Sequence, residues 1–589
     1  MTWMRSASGS TRKRPAIINL MVVDRFLVLI TVGLLGSRYI LRGNLQMRKN
    51  ILAVGFAAAA VALILGACGA KQTSSKAPKQ VLRWTEATEL PTDDPAQATD
   101  TLSFNVLLNT QEGLYRASDK GQKTNLALAK SVQVSPDGRT YKVTLRNAKW
   151  SNGDPITAQD FVYGWQRVVD PKTKSQDAFY FYQVANAQEV NTGKKPLSAL
   201  GITAQGSKHL TIKLTKPVSY FKKLLAWPLF FPQNKQAVEK YGKKYGTNST
   251  AQVYSGPFKL AKWTGSNDSW QLVKNNQYWD KQHVKLSTIK EQVVKDANTG
   301  LNLFDTGKVD ETVLSGETAV AQANNNERVD RLSSNLTRVD LNENKVPAFK
   351  NADVRRAFSL VVNRQEIAKH VLQDGSRGAI GFTPIGLATG PDGQDFAKSS
   401  KVASGVDYDL SKAKALLAKG LAATNTKSLN LTLLTNDAET TKSVAEYLQN
   451  QFEQLPNVKV TLKSIPNAQR LQLQTSGDYD LALTAWQSVF GDPINFLDIW
   501  SSDSSYNSSQ WHNAEFDQLL ADAENKYGNN ATKRWQTLVK AEKLLMKEQA
   551  TIPLFQSNSR QLLKSKVKGV NYNPSGVPYD WKSAYIANK

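Results

Sequence analysis

Residues 135–146 read SPDGRTYKVTLR, and residues 149–163 read KWSNGDPITAQDFVY. The first segment opens with a Pro-Asp-Gly turn and then alternates apolar and polar residues over 140–146, the period of a half-buried strand. In the second segment, Thr157 and Asp160 have the spacing of a helix capping box, with Asp in place of the usual Glu. A strand followed by a capped amphipathic helix predicts a domain that contains both types of element.

Further along the chain, strands and helices alternate. The pattern predicts a strand at 429–434, a helix at 441–452, a strand at 458–462, a further helix and a strand at 480–486. This β-α-β-α-β order predicts an α/β lobe with a largely parallel sheet. Before it, residues 411–419 predict a helix, which we expect Gly420 to end.

Composition and charge narrow the classes of function. The chain has 589 residues, 41% of them hydrophobic, and a net charge of +25. A basic surface suits nucleic acid, an anionic membrane or a polyanionic cell wall. The sequence has no aromatic–basic RNA motif and no zinc-finger spacing, so we expect no nucleic-acid partner.

The sequence lacks the motifs that are typical of catalytic and metal-binding sites. The four histidines have no second His or Cys at ligand spacing, so no metal site is expected. The sequence contains no Gly-rich phosphate loop and no nucleophile elbow. We therefore expect neither an enzyme nor a cofactor.

An export signal surrounds the only cysteine. Met47 is followed by Arg48 and Lys49, then by an apolar run over 51–65 that is too short for a comfortable membrane span. The run ends Leu-Gly-Ala-Cys at Cys68, which resembles a bacterial lipobox, where lipidation anchors the N-terminus to a membrane. The alternative is a buried core cysteine behind an ordinary signal peptide.

The export signal also predicts how the N-terminal region is divided. We expect translation to start at Met47, residues 47–67 to be a lipoprotein signal peptide and residues 68–80 to be a flexible tether. Residues 1–46 would then lie upstream of the true translation start and would not belong to the protein. The alternative is a genuine N-terminal extension.

Motifs spread over the mature chain resemble those of family 5 extracellular solute-binding proteins, the oligopeptide- and dipeptide-binding receptors of ABC importers. The two opening segments carry the resemblance first. The other matching segments are SGPFKL at 255–260, NQYWD at 276–280, DVRRA at 353–357, FTP at 382–384, Trp486, DP at 492–493, FL at 496–497, IPL at 552–554 and YDW at 579–581.

The resemblance implies a two-lobed, periplasmic-binding-protein-like α/β fold with an extra domain on the first lobe. The boundaries that it implies are domain I over 81–111, 253–334 and 548–589, domain II over 112–252 and domain III, the second lobe, over 335–547. The lobes are expected to close over the ligand about a hinge.

The resemblance also implies a function and its partners. It predicts a lipid-anchored receptor on the outer face of the cell membrane of a Gram-positive bacterium. This receptor binds peptides and delivers them to the permease subunits of an ABC transporter. We expect a monomer that contacts the membrane only through the lipid on Cys68.

The family's ligand site maps onto two segments of this chain. A strand end of the second lobe, Ala485-Trp486-Gln487 with Ser488 and Val489, is expected to run beside the ligand. Opposite it lies the first-lobe loop Thr99-Asp100-Thr101. Val489 stands where the family has an aspartate for the ligand amine, and Leu483 stands where it has an arginine, so we expect weak dependence on a free N-terminus.

Two alternatives remain open at this point. The first alternative is a receptor of the same family for another solute or a signalling peptide. The second alternative is a basic surface adhesin. Nickel is disfavoured because the histidine ligands are missing.

Overall fold

The computed structural model describes residues 78–588. Within this range, the first element is a strand that begins at Val81. The strands are β1 (Val81–Glu86), β2 (Tyr115–Ser118), β3 (Lys123–Leu126), β4 (Ala129–Val134), β5 (Thr140–Leu145), β6 (Ile202–Gln205), β7 (His209–Lys213), β8 (Phe258–Ala261), β9 (Ser269–Lys274), β10 (Thr288–Val293), β11 (Glu311–Leu314), β12 (Arg328–Leu341), β13 (Arg377–Gly378), β14 (Leu429–Asn436), β15 (Val458–Ile465), β16 (Leu481–Gln487), β17 (Thr551–Leu563), β18 (Val567–Lys568), β19 (Asn571–Tyr572), β20 (Tyr579–Asp580) and β21 (Tyr585–Ile586).

Helices connect most of these strands. They are α1 (Thr101–Thr110), α2 (Ala158–Val169), α3 (Ala187–Asn191), α4 (Phe221–Leu224), α5 (Lys235–Tyr241), α6 (Ala297–Asp305), α7 (Gly316–Ala321), α8 (Ala352–Leu360), α9 (Arg364–Glu366), α10 (Phe396–Ser399), α11 (Leu410–Ala423), α12 (Glu439–Phe452), α13 (Asn467–Thr475), α14 (Ile494–Leu497), α15 (Ala514–Ala521) and α16 (Ala531–Glu548). Two π-helical segments, Ile367–Leu372 and Asp522–Lys526, extend α9 and α15. The 3-10 turns are Ala178–Phe181, Leu197–Ala199, Pro228–Phe230, Gly242–Lys244, Lys281–His283, Pro347–Lys350, Ala403–Gly405 and Asp498–Trp500.

The first lobe, which holds β1–β11 and β18–β21, contains two four-stranded sheets. One sheet has the order β1-β10-β9-β8, and β8 and β9 form an antiparallel hairpin. The other has the order β4-β5-β7-β6 and is entirely antiparallel. Its strand β5 buries Tyr141, Val143 and Leu145 on one face, as the alternation predicts.

The predicted capping box is present at the start of α2. Thr157 is the N-cap, and its backbone N–H donates to the Asp160 carboxylate at 2.7 Å. This fixes where the helix begins. As a result, Phe161 and Trp165 are fully buried against the β5 sheet, in the same core cluster.

The second lobe, which holds β13–β16 and α8–α16, has the predicted β-α-β-α-β unit. Strand β14 pairs in parallel with β15 on one side and with the first part of β16 on the other. Helix α12 lies between β14 and β15 along the chain and packs its apolar face on them through Val444, Leu448 and Phe452.

One sequence prediction in this lobe is wrong. Helix α11 does not end at Gly420 but continues to Ala423. Gly420 is buried, and a Cβ there would lie 2.5 Å from Cγ2 of Val354 on α8. The glycine is therefore required for close approach of α8 and α11 rather than for the left-handed conformation of a helix end.

Two long strands, β12 and β17, pass from one lobe to the other. They pair antiparallel along most of their lengths, but the register shifts between Leu332 and Leu336. Such an irregularity interrupts the ladder and allows the strands to bend. The expected boundary between residues 334 and 335 lies in this segment; the domain boundaries themselves stay predictions.

Among residues 78–588, no helix is both long and apolar enough to span a membrane. Cys68 and all of residues 1–77 lie outside the described part of the chain, so the expectations for the signal peptide and most of the tether concern residues that the structure does not describe.

Candidate functional site

The second lobe presents a strand end with a free edge. Strand β16 pairs with β12 along its whole length, from Leu341–Leu481 to Asn335–Gln487. On its other side it pairs with β14 only at Leu481 and Ala482. The remaining part of that edge, up to Gln487, has no neighbouring strand among the described residues.

The backbone direction at this edge follows from one hydrogen bond. The Ser488 N–H donates to the Ser334 carbonyl at 3.0 Å, so this N–H faces β12. Because successive residues of a strand direct their backbone groups to alternate sides, those of Ala485 and Gln487 face the free edge. Both residues are exposed. This edge can accept a further extended strand.

The residues after this strand are held firmly. The Trp486 Nε1–H donates to the Asn495 carbonyl at 2.7 Å, and the Val489 N–H donates to Asn495 Oδ1 at 3.0 Å. Ser488 is fully buried, and its carbonyl accepts the Gly576 N–H at 2.9 Å. The free edge therefore belongs to a rigid segment.

Val489 lines a small apolar pocket of about 40 Å³. Trp227 and Lys223 of the first lobe line the same pocket. The Lys223 ammonium donates to the Gly491 carbonyl across the lobes, and burial lowers the pKa of Lys223. A ligand ammonium would meet an apolar wall and a lysine here.

Leu483 cannot contact a ligand in this structure. It is 2% exposed and lies in the core of the second lobe, paired with Val339 of β12. Leu483 therefore contributes to the core of the lobe.

Asp492, three residues after Val489, forms an ion pair inside the protein and is not available to a ligand. Its two carboxylate oxygens accept hydrogen bonds from the Arg534 guanidinium at 3.0 and 2.9 Å. Arg534 also pairs with Glu524 at 2.7 Å. Asp492 thus fixes the turn before α14, where Ile494 donates its N–H to the same carboxylate.

The first-lobe loop is placed at the start of α1. Asp100 is the N-cap of this helix, and its Oδ1 accepts the Ser103 N–H at 2.8 Å. Thr99 and Thr101 on either side are exposed. None of the three residues lines the pocket at Val489 or the larger cavity described next.

A larger cavity of about 320 Å³ lies on the other side of Trp486 and Phe490. Residues from both lobes line it. They are Phe179, Tyr180, Gln183, Tyr220 and Leu224 of the first lobe, and Trp486, Phe490, Asn495, Asp498, Ile499, Ser501, Asp503, Ser504, Ser505 and Tyr506 of the second lobe. Six of these fifteen residues are aromatic and seven are polar, and the carboxylates of Asp498 and Asp503 lie at the second-lobe side.

The charge on Asp498 is strongly influenced by its surroundings. Burial raises the pKa of Asp498 to about 7, and the negative charges of Glu524 and Asp492 add to this effect. In the first lobe, burial raises the pKa of Asp177 to about 6. The charges of both Asp177 and Asp498 help to raise the pKa of Tyr180, after burial.

The lobes contact one another around this cavity. The rings of Tyr220 and Phe490 stack across it, with centroids 4.6 Å apart and an interplanar angle of 8°. At its edge, Lys216 of the first lobe pairs with Glu524 of the second at 3.8 Å. The two lobes are therefore in direct contact at the edge of this cavity.

Sequence reasoning placed Trp486 and Val489 at the cleft but missed the larger cavity. Tyr180, Tyr220 and Tyr506 come from three distant segments and carry no local signal. Asp498 does carry a local signal, because it interrupts the apolar run Phe496–Trp500. The other four residues of this run are buried. Within residues 78–588, no group of three His, Cys, Asp or Glu side chains is placed to hold a metal ion.

The fold and this cleft define a class of protein: two lobes joined by long crossing strands, with a cleft in which both lobes contact a ligand. Residues 123–508 match the family described as "Bacterial extracellular solute-binding proteins, family 5 Middle". The chain belongs to family 5 of the extracellular solute-binding proteins, and the prediction of its family and of its two-lobed α/β fold is confirmed.

Individual relatives share most of the chain. It is 36% identical over 560 residues to the "Dipeptide-binding protein" of Lactococcus lactis subsp. cremoris, across 92% of this chain and 100% of that protein. The structure titled "Listeria monocytogenes OppA bound to peptide" is 36% identical, with a TM-score of 0.72 over 87% of this chain and 100% of that one. "Structure and mode of peptide binding of pheromone receptor PrgZ" has 36% identity and a TM-score of 0.73 over 87% of this chain and 100% of that one.

Proposed function

We propose that this protein is a lipid-anchored receptor that binds peptides between its two lobes and delivers them to the permease subunits of an ABC transporter. The free edge of β16 carries this proposal, because it offers backbone donors and acceptors to an extended chain. The names of the relatives, which include dipeptide-binding and oligopeptide-binding proteins, support it.

The peptide lies along Ala485, Trp486 and Gln487, with Ser488 and Val489 at the end of the segment. Hydrogen bonds to the peptide backbone give affinity without recognising particular side chains. The loop Thr99-Asp100-Thr101 approaches the ligand from the first lobe. The cavities on either side of Trp486 and Phe490 then receive ligand side chains, partly through water.

This binding mode assigns a role to each domain. Domain I, at 81–111, 253–334 and 548–589, and domain III, at 335–547, close on the peptide. Domain II, at 112–252, contributes Tyr180, Tyr220 and Leu224 to the cavity wall. The protein acts as a monomer.

A lipid on Cys68 holds the protein at the outer face of the cell membrane of a Gram-positive bacterium, and translation starts at Met47. Intact mass spectrometry of membrane-extracted protein tests both statements. Cys68→Ala is expected to release the protein into the medium or block its processing. An unlipidated thiol at Cys68, or a mass that retains residues 1–46, would contradict this part of the proposal.

Mass spectrometry of the ligand that co-purifies with the protein tests the central proposal. Peptides are expected, bound without turnover. A different solute would place the protein among the other binders of its family. A single peptide sequence, rather than a mixture, would favour signalling over nutrient import, as in the relative named a pheromone receptor.

A further inference from the structure

We infer that the cavity lined by Asp498 takes a cationic group of the bound ligand, an ammonium or a guanidinium. This inference rests on the proposed function and names the ligand chemistry that one part of the same cleft selects.

The backbone around Asp498 is fixed by buried neighbours. Phe496 and Trp500 are buried and contact Phe382 edge-on, with ring centroids 5.5 and 5.6 Å away. Leu497 and Ile499, on either side of Asp498, are buried as well. Asp498 is therefore the one side chain of this five-residue run that is exposed, and it faces the cavity.

The Asp498 carboxylate has no internal cation. Across residues 78–588 no side chain forms an ion pair with it or donates a hydrogen bond to it. Arg534 pairs with Asp492 and Glu524, and Lys216, which lines a neighbouring cavity together with Asp498, pairs with Glu524. Asp498 is accessible in the cavity but has no ion-pair partner among the described residues, and a ligand cation would supply one.

The aromatic walls suit a cation as well. Trp486 and Tyr506 meet edge-to-face at 5.1 Å, and Tyr180 and Tyr220 approach from the first lobe. The faces of Trp and Tyr rings attract ammonium and guanidinium groups. Their apolar surface also suits the methylene chain that carries such a group in lysine or arginine.

A second carboxylate lies in the first lobe beside the cavity wall, because Asp177 directly precedes the turn that carries Phe179 and Tyr180. Asp177 is half-buried, and its charge acts together with that of Asp498 on Tyr506 as well as on Tyr180. A ligand cation in the cavity would thus be attracted by carboxylates of both lobes, and this attraction would favour the closed arrangement. The small pocket at Val489, with Lys223, offers no comparable attraction.

Calorimetry with matched peptides tests the inference. The probes are tetra-alanine peptides in which one lysine, or the uncharged norleucine of similar length, is placed at each position in turn, each free and N-acetylated. The variants are Asp498→Asn, which keeps the shape of the side chain, and Asp503→Asn. Asp503 lines the same cavity but, unlike Asp498, already accepts a side-chain hydrogen bond, from Ser501 at 2.8 Å, so it is the matched control.

For wild-type protein, we expect lysine at one position to bind at least about tenfold more tightly than norleucine, within the range of a close charge pair. Asp498→Asn should remove this preference and leave norleucine peptides within about threefold of wild type, and Asp503→Asn should keep the preference. If the loss in Asp498→Asn instead follows the free N-terminus and vanishes on acetylation, the cation is the α-ammonium, and the inference holds with that source.

Two results would overturn the inference while leaving peptide binding intact. One is equal binding of lysine and norleucine peptides, free or acetylated, by wild-type protein. The other is an equal loss for all peptides in Asp498→Asn, which would mean that Asp498 only shapes the cleft. If no peptide binds to the wild-type protein, the proposed function itself fails, and the inference falls with it.

Discussion

At the scale of single residues, most buried arginines pair with a carboxylate inside the fold. Arg116 donates to both oxygens of Asp580 at 2.6 and 2.8 Å and pairs with Glu112 at 3.1 Å. Burial by itself would raise the pKa of Asp580, but the Arg116 charge and hydrogen bonds hold it below the ordinary value. This cluster fixes β20, near the C-terminus, beside the end of α1.

Replacing Asp580 by Asn should therefore destabilise the protein at pH 7, by at most about 3–5 kcal/mol, because it leaves the buried Arg116 charge with Glu112 as its remaining carboxylate partner. The folded-state pKa of Asp580 is lowered, so its contribution is present above the unfolded pKa and is lost as pH falls through the folded one. Urea unfolding at pH 7 and at pH 3 measures this. The difference between wild type and variant should shrink at the lower pH.

Asp478, which pairs with Lys345 at the surface, provides the control for this experiment. Asp478→Asn should leave the unfolding midpoint unchanged. If Asp580→Asn has as little effect at pH 7, the Arg116 cluster does not stabilise the fold as described.

Asp498 makes a second prediction at this scale, which needs no substitution. Burial raises its pKa to about 7, so the carboxylate that attracts a ligand cation is neutral in acid. If the bound state keeps it ionised, lysine peptides should lose about tenfold in affinity between pH 8 and pH 6, relative to norleucine peptides. The charged and titratable groups that face it are Asp177, Tyr180, Lys216, Tyr220, Asp492, Asp503, Tyr506, Glu524 and Arg534.

Titration calorimetry of both peptides across this range measures the ratio. Because Asp177 also titrates near pH 6, Asp498→Asn is the control, and it should flatten most of the pH dependence. An unchanged lysine-to-norleucine ratio from pH 8 to pH 6 would contradict the part assigned to Asp498.

Strand β16 is the element whose position matters most for binding. Its first residues are paired on both sides, and its last residues only with β12. A proline is tolerated on a strand edge where its missing N–H faces away from the partner strand. Gln487 is such a position, because its backbone groups face the free edge.

Gln487→Pro should therefore weaken peptide binding by at least about tenfold, since it removes a backbone donor of the free edge and stiffens the segment. Gln487→Ala keeps the N–H and should bind within about threefold of wild type. Calorimetry gives the affinities, and thermal unfolding shows whether Gln487→Pro keeps the fold. Full affinity in a folded Gln487→Pro protein would mean that the peptide does not pair at this residue.

At the scale of the whole molecule, we expect the crossing strands β12 and β17 to act as the hinge between the lobes. Their register shift between Leu332 and Leu336 interrupts the ladder inside the seven-stranded sheet that they share, which allows this sheet to bend there. Contacts between the lobes around the cavity, such as the stacked Tyr220 and Phe490, should then form as the cleft closes.

Ligand binding should therefore shift the population towards the closed arrangement. Small-angle X-ray scattering of ligand-free and peptide-saturated protein should show a smaller radius of gyration with peptide. Phe490→Ala, which removes the stacking partner of Tyr220, should reduce the compaction. The peptide should be recovered uncleaved; cleavage by pure protein would contradict a role in binding alone.

The sequence by itself determined the local elements and the family. Strand β5, the capping box of α2 and the parallel unit of the second lobe follow from periodicity and capping chemistry, which act over a few residues. The motifs from 135 to 581 determined the family, and the segment around Trp486 was placed at the cleft. Only the tertiary structure decided that Gly420 lies inside a helix, that Leu483 belongs to the core and that Asp498 faces an aromatic cavity. The reason is physical: these outcomes depend on contacts between residues far apart in the chain, such as Gly420 with Val354 and Phe490 with Tyr220, and no local pattern records which segments will meet.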